Sequence, residues 1–71
     1  MKNNKYEINI KEEYIHIINY IDIEDMKETQ IKIQLKNKYI IINGEKLVIT
    51  SLSEEEMLIK GIVKGINFIS E

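Results

Sequence analysis

Residues 30–36 read Gln-Ile-Lys-Ile-Gln-Leu-Lys, with Ile31, Ile33 and Leu35 on one parity and Lys32, Gln34 and Lys36 on the other. Strict alternation of this kind suits a half-buried β-strand, because successive side chains leave an extended backbone on opposite faces. Tyr6, Ile8 and Ile10 repeat the pattern against Glu7, Asn9 and Lys11. Composition points the same way. Of the 31 apolar residues 17 are isoleucine, which is stiff at χ1 and favours strands, while alanine, the best helix former, is absent. The expectation is a single all-β domain over residues 6–71, preceded by a polar, disordered N-terminus at 1–5.

The remaining segments can be placed by parity and turn chemistry. Residues 14–23 (YIHIINYIDI) are broken by Asn19 and read as two short strands around a tight turn. Residues 24–29 make a polar corner interrupted by Met26, and Asn37-Lys38 turns the chain after the strand at 30–36. In the next block a turn centred on Asn43-Gly44 would set Ile42 opposite Glu45 and mix the faces. Centring it on Gly44-Glu45 pairs Ile42 with Leu47 and Ile40 with Ile49, which keeps the apolar faces matched and uses Gly44 for a positive φ. Ser53-Glu54-Glu55-Glu56 has the form of a capping box, but Met57 to Lys60 alternate and Gly61 follows at once, so at most one helical turn fits there. Val63, Ile66 and Phe68 complete the chain on a further strand pair with a bend near Lys64-Gly65.

The two halves of the chain correspond. Ile15 and Ile17 fall on Ile40 and Ile42 at an offset of 25, and Ile21, Ile23, Met26, Ile31 and Ile33 fall on Leu47, Ile49, Leu52, Met57 and Ile59 at an offset of 26. The step lies in the first turn, where Ile18-Asn19-Tyr20 stands for Asn43 to Lys46 and leaves Ile17 opposite Ile21. Each unit is then strand, tight turn, strand, apolar corner, strand. Two repeats of about 26 residues imply a small antiparallel sandwich or a short solenoid-like coil. Ile40, Ile42, Leu47, Ile49 and Ile59 are the expected core of the second unit.

Several functions are disfavoured. The formal charge is −2 and there is no arginine, so no basic field or bidentate reader for nucleic acid is present. With no cysteine and only His16, neither a disulfide nor a zinc centre can form, and a cytoplasmic chain is expected. No apolar run approaches the ~20 residues that span a bilayer. Glu54 to Glu56 could offer oxygens to a hard cation, but consecutive side chains rarely converge and a solvated turn is the expected role. Asp22 and Glu24 share a strand face without a nucleophile beside them. His16, between Ile15 and Ile17, is expected on the face away from the core as an exposed strand residue. Gly44, Gly61 and Gly65 precede no helix and make no phosphate cradle. No catalytic residue, cofactor or metal is assigned, and the chain is not expected to be an enzyme.

One anomaly bears on function. Tyr39, Ile41, Val48, Leu58 and Ile62 have the parity opposite to the core, as do Tyr14, Ile18 and Tyr20, whereas the outer face of a sandwich should be polar. A chain of 71 residues is marginal by burial alone and has no disulfide or metal to help it. Tyr39, Ile41, Val48, Leu58 and Ile62 are therefore the expected association surface of a homo-oligomer or of a docked partner. The rival reading is a small β-module that binds a metabolite or lipid.

The same residues resemble the YabP/YqfC family of sporulation proteins, and its YqfC branch most. The resemblance lies in Y-I-H-I at 14–17, Q-I-K-I-Q-L at 30–35, I-I-I-N-G-E-K-L-V-I over 40–49 and M-L-I-K-G-I-V-K-G-I-N-F at 57–68, with Gly44, Leu47, Ile49, Ile59, Gly61, Val63 and Phe68 in order. It covers the chain from about Tyr6. YqfC proteins usually carry an additional basic, amphipathic segment, whereas in this sequence the β unit follows almost directly. The resemblance implies a non-enzymatic protein of spore development in the mother cell, possible peripheral attachment at the forespore outer membrane, and an integral membrane partner of the YqfD kind. It supplies no catalytic or ligand-binding residue.

Overall fold

The computed structural model describes residues 5–70, which form six strands and no helix. These are β1 (Glu7–Ile10), β2 (Tyr14–Ile18), β3 (Asp22–Met26), β4 (Gln30–Leu35), β5 (Lys38–Leu52) and β6 (Glu56–Ser70). All pairings are antiparallel, in one sheet of order β1-β2-β6-β5-β4-β3. The fold is thus all-β and antiparallel, as expected. The disorder expected of residues 1–5 lies outside the described residues except at Lys5, whose carbonyl accepts a bond from Asn19 Nδ2 at 2.8 Å.

The two 15-residue strands shape the molecule. β5 pairs through its first part with β4 and the end of β6, and through its second part with the start of β6, which in turn pairs with β2. Register shifts at Asn43/Gly44, Glu45/Val48 and Ile49/Ser51 bend the hairpin between these parts. The sheet folds over, and side chains from both halves join one core: Ile15 and Ile17 of β2, Met57 and Ile59 of β6, Ile31, Ile33 and Leu35 of β4, and Ile40, Ile42 and Leu47 of β5. Each is at most 4% exposed. Burying one such side chain contributes about 1.5–3 kcal/mol, so these ten dominate the stability of so short a chain.

Two glycines make the bend possible. A Cβ on Gly44 would fall on the Ile62 carbonyl oxygen, and Gly61, at φ 135°, would place a Cβ 2.7 Å from the Lys46 carbonyl oxygen. Lys46 itself is left-handed at φ 54°. The tip of the β3–β4 hairpin holds the bend from the side, as Gly44 N donates to Thr29 O at 3.0 Å and Leu47 N to Glu28 O at 2.8 Å.

Three local expectations are corrected. No turn forms at Gly44-Glu45: Ile42 pairs with Ile31 and Ile66, and Ile40 with Ile33 and Phe68, because β5 runs on through the bulge. Strands β2 and β3 do not pair with each other, since Ile17 lies opposite Ile8 and Met57 while Ile21 is 57% exposed. Residues 18–21 instead cross between the two halves, with Asn19 N donating to Glu55 O at 2.6 Å and Ile21 N to Gln34 O at 2.8 Å. The strand after Gly61 is a continuation of β6 and not a separate pair. Ser53 to Glu55 form the tip of the β5–β6 hairpin, closed by Ser53 N donating to Glu56 O at 2.9 Å.

Truncating Ile33 to Ala is expected to lower the unfolding free energy by about 2–5 kcal/mol in urea denaturation, against less than about 0.5 kcal/mol for Ile21→Ala. Gly61→Ala, which meets backbone at an unsuitable φ, should destabilise well beyond the Ile21 change.

Candidate functional site

The sheet distributes the expected association residues over two outer surfaces. Tyr39 and Ile41 lie together on β5 beside Gln34 and Lys32 of β4, all half-buried, with Lys32 Nζ 4.7 Å from the centre of the Tyr39 ring. Val48 and Leu58 lie on the outer side of the other half, where Val48 is opposite Lys60 and Leu58 is opposite His16 and Ser51. Ile62 sits on the bend opposite Glu45. The five residues therefore form two separate groups and a bend residue, not one patch. Val48 and Ile62 are open at 51% and 54% exposure.

A further exposed apolar segment follows the bend. Beyond Lys60 the strand β2 has ended, and among the described residues, residues 62–70 of β6 pair with β5 alone. Ile62, Val63, Phe68 and Ile69 along this edge are all exposed. Parity could not single out such an edge, because both of its faces are affected. The legible signal is the run from Gly61 to Ile69, in which Lys64 is the one charged residue.

Among the described residues, the ion pairs involve side chains that are at least partly exposed. His16 Nε2 lies 2.8 Å from Glu56 Oε1 across the β2–β6 ladder, with the two side chains 28% and 54% exposed. Sequence spacing gave no carboxylate partner for His16, because the contact spans 40 residues. Ser51 and Ser53 line the same shallow hollow. Ser53 Oγ, however, accepts from Glu56 N at 3.2 Å and caps the hairpin tip, so it is not directed at the imidazole as a nucleophile would be. The pair joins a half-buried imidazole to an exposed carboxylate across the ladder. Among the described residues no three His, Asp or Glu side chains gather as a metal-ligand set. Asp25 reaches Lys27 at 3.7 Å, and Asp22 Oδ1 accepts from Ile23 N at 2.8 Å. An open apolar groove runs between Ile23 and Met26 of β3 and Ile49 and Leu52 of β5, with Glu24 and Asp25 at its rim.

The sequence profile of the YabP family matches residues 2–71. The chain belongs to the YabP family. Membership points to a sporulation-related role for this all-β sheet. No curated protein matches the chain, and no solved structure does. Among the described residues, no helix of this YabP-family protein is long and apolar enough to cross a membrane.

Replacing His16 by Asn is expected to change unfolding free energy by less than about 1 kcal/mol, the range of an exposed pair. Thermal melts of the variant and of Glu56→Gln check this, and a larger loss in either would mean that the pair holds the β2–β6 ladder.

Proposed function

We propose that this YabP-family chain is a non-enzymatic protein of spore development that acts by assembling, with copies of itself or on a membrane-associated partner. The observation that carries this reading is the amount of apolar surface that one folded sheet leaves open. Ile10, Met26, Val48, Leu52, Ile62, Phe68 and Ile69 are all between 46% and 61% exposed. A chain with so small a core gains most from covering such side chains against another molecule. Placement in the YqfC branch, action in the mother cell at the forespore membrane, and an integral membrane partner of the YqfD kind follow from the family resemblance and belong to the proposal.

A second reading, a module for a metabolite or lipid, is favoured by the open groove between β3 and β5. The interior between the two halves of the sheet is filled by the ten core side chains, so a ligand would lie in an open surface hollow such as that groove. Native mass spectrometry of the full chain separates the two. A defined multimer without added mass is the expected result, and a monomer carrying additional mass would favour the ligand reading over assembly.

A further inference from the structure

The strand ladders contain an internal comparison that bears on how copies could meet. Ile15 pairs with Ile59 and Ile17 with Met57, between β2 and β6. Ile40 pairs with Ile33 and Ile42 with Ile31, between β5 and β4. An offset of 25 carries the β2 members onto β5, and one of 26 carries the β4 members onto β6. The pairs Ile23–Ile33 and Met26–Ile31, with a register shift after Ile23, correspond in the same way to Ile49–Ile59 and Leu52–Met57, with a shift after Ile49. Ile8–Ile17 and Ile10–Ile15 correspond to Ile66–Ile42 and Phe68–Ile40. The bond from Asn19 N to Glu55 O has its counterpart in that from Gly44 N to Thr29 O. The end of β6 thus occupies in one half of the sheet the place that β1 occupies in the other.

These two equivalent edges differ in chemistry. Glu7, Asn9 and Lys11 around β1 stand where Gly65, Asn67 and Ile69 stand on β6. Charged residues on an edge strand oppose pairing with another strand, whereas an uncharged apolar edge invites it. The charge of Lys64 is matched within the chain, its Nζ lying 3.2 Å from Glu45 Oε1. Gly65 adds an independent observation. Gly44 and Gly61 are required by backbone contacts at the bend, but a Cβ on Gly65 would meet nothing within 4 Å, and its φ is not positive. A strand glycine marks a bulge or the close approach of another backbone; Gly65 lies at the register shift between the Asn43–Gly65 and Gly44–Val63 pairs, and its outer side is also open to a neighbouring strand.

From these features we infer that residues 62–70 of β6 pair antiparallel with the same residues of a second copy, about a two-fold axis. This deepens the assembly reading and rests on it. The segment is self-complementary: centred on Ile66, the pairing sets Val63 opposite Ile69, Gly65 opposite Asn67 and Lys64 opposite Phe68, with no like charges facing. A two-fold contact of one edge with itself closes at two copies, while addition of β6 to β1 is head-to-tail and gives an open filament unless its rotation closes a ring. The charges around β1 guard against that second outcome.

Sedimentation velocity over a concentration series tests the inference on the full chain and on Gly65→Asp and Val48→Asp. The wild-type chain should sediment at twice the monomer mass. Gly65→Asp, whose side chain has free space in its own chain, should keep the β-sheet circular dichroism and weaken association at least tenfold, while Val48→Asp leaves it unchanged. Hydrogen exchange provides a readout without substitution, with amides of residues 62–70 gaining protection as concentration rises and those of residues 7–10 not doing so. A dimer that survives Gly65→Asp but is lost in Val48→Asp would overturn the edge contact and leave assembly through the outer face standing. A wild-type chain that remains monomeric throughout would overturn self-association altogether.

Discussion

The close passage of two backbones at the bend of the β5–β6 hairpin is the constraint on which the rest depends. Gly44 lies against the carbonyl of Ile62, and Gly61 lies against Lys46 and Leu47. No side chain larger than hydrogen fits at either place without displacing backbone. Because the strands can cross there, one sheet folds into two facing halves, and isoleucines far apart in the chain share a core. Without the bend, a six-stranded sheet of this length would have an unburied apolar face. The β3–β4 tip, bonded to Gly44 N and Leu47 N, fixes the angle at which the halves meet.

Much of this was legible in the alternation of residues. The strands at 30–35 and 7–10, the core parity of Ile15, Ile17, Ile31, Ile33, Ile40, Ile42, Leu47, Met57 and Ile59, and the all-β class follow from a period of two. The partners of the strands did not follow. The sequence around Gly44 has the local chemistry of a hairpin turn, yet Ile40 and Ile49 belong to one strand that bends. Local matching of faces cannot distinguish a turn from a bulge, because both return apolar residues to the core, and non-local pairing decides between them. The same limit hid the His16–Glu56 contact, which exists only once β2 lies beside β6. It also led to Tyr39, Ile41, Val48, Leu58 and Ile62 being grouped by parity, a criterion that does not say in which half of the sheet a residue lies.

The functional consequence lies in what a folded sheet cannot hide. A short chain that spends its isoleucines on one shared core leaves edges and outer faces partly apolar, and YabP family membership points to a sporulation-related role for the chain. The ion pairs His16–Glu56 and Lys64–Glu45 each join side chains of neighbouring strands at or near the surface.

The central structural claim is that β5 and β6 are continuous strands bent over a shared core, and the most direct measurement is the pattern of cross-strand nuclear Overhauser contacts in solution. Backbone contacts joining Ile15 to Ile59 and Ile33 to Ile40, with no backbone contact between Ile40 and Ile49, are the predicted result. A strong backbone contact between Ile40 and Ile49 as cross-strand neighbours would mean that the chain turns back at Gly44-Glu45, and would contradict the account.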